Sequence, residues 1–272
     1  MKPSVTISMV PQAKGGPFVF WGDLAGSCAQ AAELGYAAVE LFLPDPDAVQ
    51  KTQLRDLLDR HRLKLAAVGT GAGWVIHRWT LTHPNAAIRG QAKKFIASMI
   101  DFGADFGAPA IVGSMQGRYE NEVTREQAFR WLGEALNDLG AHAESRGVPL
   151  FFEPINRYET NLCNRLGDTV AWLASLHTRN VKLLADLFHM NIEEVSISEA
   201  LRAAGSHVGH VHFVDSNRRP AGGGHIDFTP VVAALREIGF AGYLSAESFP
   251  YPDSQSAAQQ TMTTFRRIAS AN

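Results

Sequence analysis

Neither sign of charge dominates this chain: 25 Lys and Arg stand against 27 Asp and Glu, a formal net charge of −2. With no basic excess and no run of Lys or Arg, there is no electrostatic footprint for nucleic acid or an anionic membrane, and the expected partner is a small molecule. No stretch approaches the ~20 apolar residues that span a bilayer. The opening MKPSVTISMV has one basic residue and a short strand-like run, without the apolar core and cleavage site of a signal peptide. Cysteine is scarce. Cys28 and Cys163 could pair in principle, but a domain of this size needs no staple and the two form no metal-binding cluster, so a reduced, cytoplasmic setting is expected. Also lacking are a linker, a low-complexity segment, and a Gly-x-Gly-x-x-Gly or Gly-Lys-Ser/Thr phosphate loop after the first apolar run. That last absence counts against a nucleotide-binding open sheet.

What is present is a regular alternation over 272 residues, 46% of them hydrophobic. Short apolar runs read as buried strands over Ser4–Val10, Ala37–Leu43, Leu63–Thr70, Ala108–Ser114, Val148–Pro154, Val181–Leu187, Val208–Asp215 and Tyr243–Ser248. Between them, helical patterns fall near Leu24–Leu34, Ala48–Arg60, Asn85–Phe106, Glu122–Arg146, Asp168–Leu176, Ser198–Ala204, Thr229–Ile238 and Asp253–Ile268. A long loop carrying Gly71, Gly73, Trp74, His77 and Trp79 follows the third strand, a place where function often resides. Strand and helix alternate eight times without a break, which predicts one (β/α)₈ TIM barrel over residues 1–272. A doubly wound open sheet is the alternative.

Four metal-capable side chains stand near the C-terminal ends of the last four runs: Glu153, Asp186, His212 and Glu247. In a parallel barrel those ends converge on one face, so residues far apart in sequence can surround one ion. Each has a plainer reading. Glu153 is costly to bury alone, and Arg157 or Arg165 is an alternative partner to a metal. Asp186 suits a helix cap. His210 and His212 point to the same side of their strand, and either can be an ordinary core histidine, with His212 nearer the mouth. Glu247 can bond a backbone amide at the rim. Three carboxylates and one imidazole make a hard donor set suited to Mn²⁺, Mg²⁺ or Co²⁺ and usable by Zn²⁺. His189, on the loop after the sixth strand, Glu159 and Arg218 stand where a bound substrate needs them. Arg218 beside Arg219 can equally be a solvated pair. Gly222-Gly-Gly224 points to a mobile or closely approached loop, and Asp227 is a plausible N-cap.

Four blocks carry a resemblance over nearly the whole chain: Glu153-Pro-Ile-Asn-Arg-Tyr-Glu159-Thr, Ala185-Asp186-Leu-Phe-His189-Met-Asn-Ile-Glu-Glu, His212-Phe-Val-Asp-Ser-Asn-Arg218 with Gly224-His-Ile-Asp-Phe, and Glu247. They resemble the xylose isomerase-like sugar isomerase/epimerase superfamily and, within it, the ketose 3-epimerases of the D-tagatose 3-epimerase type. Ala67-Val-Gly-Thr-Gly71 and Leu81-Thr-His-Pro-Asn85 look like the branch acting on keto-sugar acids such as 5-keto-gluconate. The resemblance implies one divalent cation, Mn²⁺ foremost, held by Glu153, Asp186, His212 and Glu247. It makes Glu153 and Glu247 the acid/base pair that inverts C3 of a ketose or keto-sugar acid through an enediolate. His189 and Arg218 would hold substrate oxygens, Glu159 would support the site, and relatives are often dimers or tetramers. Two other readings stay open: an aldose–ketose isomerase of the hydroxypyruvate isomerase type, and a non-catalytic sugar-binding protein on the same barrel. A DNA-repair endonuclease of the superfamily would need more histidines and a basic face.

Overall fold

Strands buried on both faces, between a filled lumen and an outer layer of helices, read as continuous apolar runs, and that is how these segments fold. A computed structural model describes residues 1–270; residues 271 and 272, which the single-domain expectation also covers, lie outside the described residues. In chain order the strands are β1 (Lys2–Ser8), β2 (Phe20–Trp21), β3 (Ala38–Phe42), β4 (Lys64–Gly69), β5 (Ala110–Val112), β6 (Leu150–Phe152), β7 (Val181–Asp186), β8 (Val208–His212) and β9 (Tyr243–Ala246). β1 and β3 to β9 pair in parallel in that order, and β9 returns to β1 with Lys2 opposite Tyr243 and Val5 opposite Ala246. The eight-stranded ring is therefore closed, which excludes the open sheet. The short β2 pairs only with β1, at the mouth.

The helices are α1 (Leu24–Leu34), α2 (Lys51–His61), α3 (Ala72–His77), α4 (Ala86–Ala104), α5 (Arg125–Ser145), α6 (Leu166–Leu173), α7 (Leu187–Glu193), α8 (Ile197–Ala204), α9 (Phe228–Glu237) and α10 (Ser254–Ser270). Their starts have local causes. Asp23, Asn85 and Asp227 accept amide bonds as N-caps, and Thr124 forms a reciprocal capping box with Gln127. Gly35, at φ 89°, ends α1 in the left-handed conformation that glycine adopts without a Cβ clash. On α2, Leu54, Leu57 and Leu58 form the buried face while the charged residues stay outside.

Besides the short β2, the structure differs from the expected alternation in two places. The long loop after β4 contains α3, and His189 lies in α7, not on a loop. Both helices sit at the C-terminal end of the barrel, beside the site. The strands are also shorter than the apolar runs: Glu153 and Glu247 stand one residue past β6 and β9. Most of the core lies between sheet and helices, and a separate small cluster of Ala67, Ile111, Phe151 and Leu184 fills the lumen. Glu40, opposite Ala67, and His210, opposite Leu184, make that lumen partly polar.

Candidate metal centre at the barrel mouth

Register places the first two donors side by side, since Asp186 ends β7 directly opposite His212, the last residue of β8. Glu153 follows β6, its N–H still bonded to the Val112 carbonyl at 3.0 Å, and Glu247 follows β9. Closure of the ring gathers all four, each offering a ligand atom within 4.8 Å of the others. His212 Nδ1 is the common centre, 3.2 Å from Asp186 Oδ2, 3.4 Å from Glu247 Oε2 and 3.5 Å from Glu153 Oε1.

The plainer readings can now be weighed. Arg157 pairs with Glu193 at 2.9 Å and Arg165 with Glu194 at 3.3 Å, so neither arginine answers Glu153. Asp186 is both a cap and a member of the cluster. Its Oδ1 accepts the N–H groups of Phe188 and His189 at 2.7 and 3.1 Å, which starts α7 and leaves Oδ2 for the centre. Glu247 faces Arg218 and His212, not a backbone amide. His210 takes no part in the four-residue cluster. Gly113 makes room for Glu153: a Cβ at that position would stand 2.3 Å from Glu153 Oε2. Both cysteines are buried and free.

Glu40, on β3, is a member of the site that sequence reasoning missed. Its carboxylate bridges two imidazoles, 2.7 Å from His210 Nε2 and 3.0 Å from His212 Nε2. Burial works against its charge, yet His212 and His210 hold this carboxyl well below the usual carboxylate range. The bridge has a consequence for His212. Nε2–H donates to Glu40 while Nδ1 faces the three carboxylates, where it carries a proton or, in the proton's place, meets a cation, the arrangement by which an outer carboxylate orients a metal-binding histidine.

The donor set fits a cation. Burial, reinforced by Glu153 and Asp186, pushes the Glu247 carboxyl up to about 8 against the pull of His212 and Arg218. Burial lowers the affinity of His212 for a proton, but Glu247 and Glu40 outweigh it and raise that group well above its ordinary value. An acid that retains its proton and an imidazole that gains one are the response of a site with too much buried negative charge. A divalent ion relieves the same excess.

Around the cluster lie the other expected residues. Asn156, also missed, is buried and organises two of them: its backbone N–H donates to His189 Nδ1 at 3.2 Å, and its side-chain amide donates to Glu159 Oε1 at 3.1 Å. That bond leaves His189 Nε2–H as a donor on the cavity side, 3.9 Å from Glu153 Oε1. Arg218 reaches Glu159 and Glu247, each at 3.4 Å, and its buried Nε has no hydrogen-bond partner among the described residues. It is therefore no solvated twin of Arg219, which lies over the exposed Tyr251 ring. Asp215 ties the loop that carries Arg218, its carboxylate accepting the N–H groups of Ser216, Gly222 and Ile226. Gly224 is closely approached there, since a Cβ would meet Asp215 Oδ1 at 2.2 Å.

His189, Glu159 and Arg218, with Glu40, Glu153, His212 and Glu247, line a cavity of about 440 Å³, of a size for a small molecule. Trp74 also lines it, whereas His77 and Trp79 stack on one another, 4.1 Å between ring centres, and Trp79 continues onto Phe95.

A closed parallel barrel with an acid-rich, histidine-containing cluster at its C-terminal mouth defines a barrel of the metal-centred enzyme class. More particularly, the chain belongs to the xylose isomerase-like TIM barrel family, whose pattern matches residues 28–268. It is 30% identical over 264 residues to an L-ribulose 3-epimerase of Methylomonas sp., covering 93% of this chain and 90% of that protein. It is 31% identical over 118 residues to a 3-dehydro-D-guloside 4-epimerase of Escherichia coli, covering 43% of this chain and 45% of that one. The crystal structure of a D-allulose 3-epimerase from Methylomonas sp. superposes with a TM-score of 0.80 at 26% identity, over 98% of this chain and 99% of that one. This kinship places the chain among enzymes of the isomerase class. Among the described residues no helix is long and apolar enough to cross a membrane.

Proposed function

We propose that the protein is a metal-dependent epimerase that inverts C3 of a ketose or keto-sugar acid, with Glu153 and Glu247 as its acid/base pair. The carrying observation is that these carboxylates reach the same His212 Nδ1, at 3.5 and 3.4 Å, from β6 and β9, three places apart around the barrel. Two carboxylates flanking one point are what proton removal from one face of a carbon and return to the other require. Glu153, Asp186, His212 and Glu247 would hold the ion, Mn²⁺ first and Mg²⁺, Co²⁺ or Zn²⁺ on the same donors. When bound, the ion supplies Lewis-acid stabilisation of charge developing on the substrate's carbonyl oxygen.

The chain's own residues supply the rest. His189 Nε2–H and the unpartnered Arg218 Nε are donors for substrate oxygens near the carbonyl. Glu159 steadies both, taking bonds from Arg218 and Asn156. Glu153, freed from arginine pairing, takes or returns the C3 proton on one side, and Glu247 does so on the other.

A panel of ketoses and keto-sugar acids, incubated in D₂O with the metal-loaded protein, tests this reading by proton NMR. Deuterium at C3 of an epimerised ketose is expected. An aldose product would instead mark an aldose–ketose isomerase, and sugar binding with no exchange at any carbon would mark a non-catalytic binder.

A further inference from the structure

The cavity has two chemically different ends. Its floor is acidic, built from Glu40, Glu153 and Glu247 beside His212. Three cations line it. Arg218 is engaged by Glu159 and Glu247, but Lys14 and Arg78 carry no ion pair among the described residues. Both are exposed, so they stand at the open end, away from the buried cluster.

Their placement is built by the fold. Lys14 closes the 3₁₀ turn Pro11–Ala13 after β1, and Arg78 caps α3 after β4; that turn and α3 pack against each other. Arg78 sits at φ 58°, a left-handed C-cap position that glycine fills at lower conformational cost. Its guanidinium lies 4.8 Å from the centre of the Trp74 ring, itself part of the cavity wall. A stacked guanidinium is already oriented, so less freedom is lost when it binds an anion.

We infer that Lys14 and Arg78 form an anion-recognition subsite, and that the substrate carries a carboxylate or phosphate at the end of its chain remote from the reacting carbonyl. This rests on the reading that the carbonyl end faces the Glu153 and Glu247 cluster. The acidic floor repels a second negative charge, so a substrate with one anionic end is bound in a single orientation, charge outward. A neutral ketose leaves both cations to water.

Calorimetric titration of the metal-loaded protein compares three ligands: a six-carbon keto-sugar acid with a terminal carboxylate, a ketohexose 6-phosphate, and a neutral ketohexose. One anionic ligand is expected to bind about tenfold tighter than the neutral sugar, as a charge-assisted pair contributes, and the stronger of the two identifies the anion. That advantage should shrink as salt is raised and be lost in Lys14→Gln and in Arg78→Gly. The glycine variant is chosen because it suits the left-handed cap, so its melting temperature should hold or rise. Equal affinity for all three ligands, or an anion advantage that survives the double variant, would overturn the subsite. Binding is read without turnover. An anion preference with no solvent exchange would thus leave the subsite standing and defeat the epimerase reading, while exchange without preference would do the reverse.

Discussion

Glu40 concentrates what a single residue contributes here. It lies in AAVELFL as one acid among apolar neighbours, and its partners are 170 and 172 residues away. The sequence marks it as an acid in a buried strand but says nothing of whom it meets. Asn156 is hidden for the same reason, since it acts on His189 from 33 residues away. Glu153, Asp186, His212 and Glu247 were legible because each ends or follows an apolar run, where an ionisable group needs a partner. Glu40→Gln should weaken metal binding by about 10- to 100-fold, the usual cost of losing an outer carboxylate on a ligating histidine. Titration with Mn²⁺, or the visible spectrum of the Co²⁺ form, reads this directly. An unchanged dissociation constant would mean that Glu40 serves packing alone.

At the scale of elements, strands and long helices were legible and the two mouth helices were not. α3 and α7 are six and seven residues long, too short to display a helical repeat. Gly71-Ala-Gly73 reads as loop by composition, and only the capping potential of Asp186 hinted at α7. Strand ends matter more than strand bodies for the site, and the end of β5 offers a test. Gly113→Ala should leave the barrel folded and drive the Glu153 carboxylate from its place. Displacement on the ångström scale is expected to cost about a hundredfold in turnover, and metal affinity should fall with it. Normal turnover, with Glu153 unmoved in a crystal structure of the variant, would refute the close-approach argument.

For the whole molecule, what the sequence could not state was closure and register. Alternation implied eight strands, but only closure through β9 and β1 brings Glu40 on β3 round to His210 and His212 on β8, and only the β7–β8 register sets Asp186 beside His212. The barrel thus gathers four distant residues into one cluster, in which Glu153 and Glu247 are the two carboxylates proposed to serve one carbon. The most direct test of that claim is C3 proton exchange in D₂O by Glu153→Gln and Glu247→Gln proteins whose metal content has been measured and matched to the parent. Loss of an acid/base group costs about 10²- to 10⁴-fold, so each variant should be nearly inactive while still holding its metal. Substantial C3 epimerisation by the metal-loaded Glu247→Gln protein would contradict the two-carboxylate mechanism.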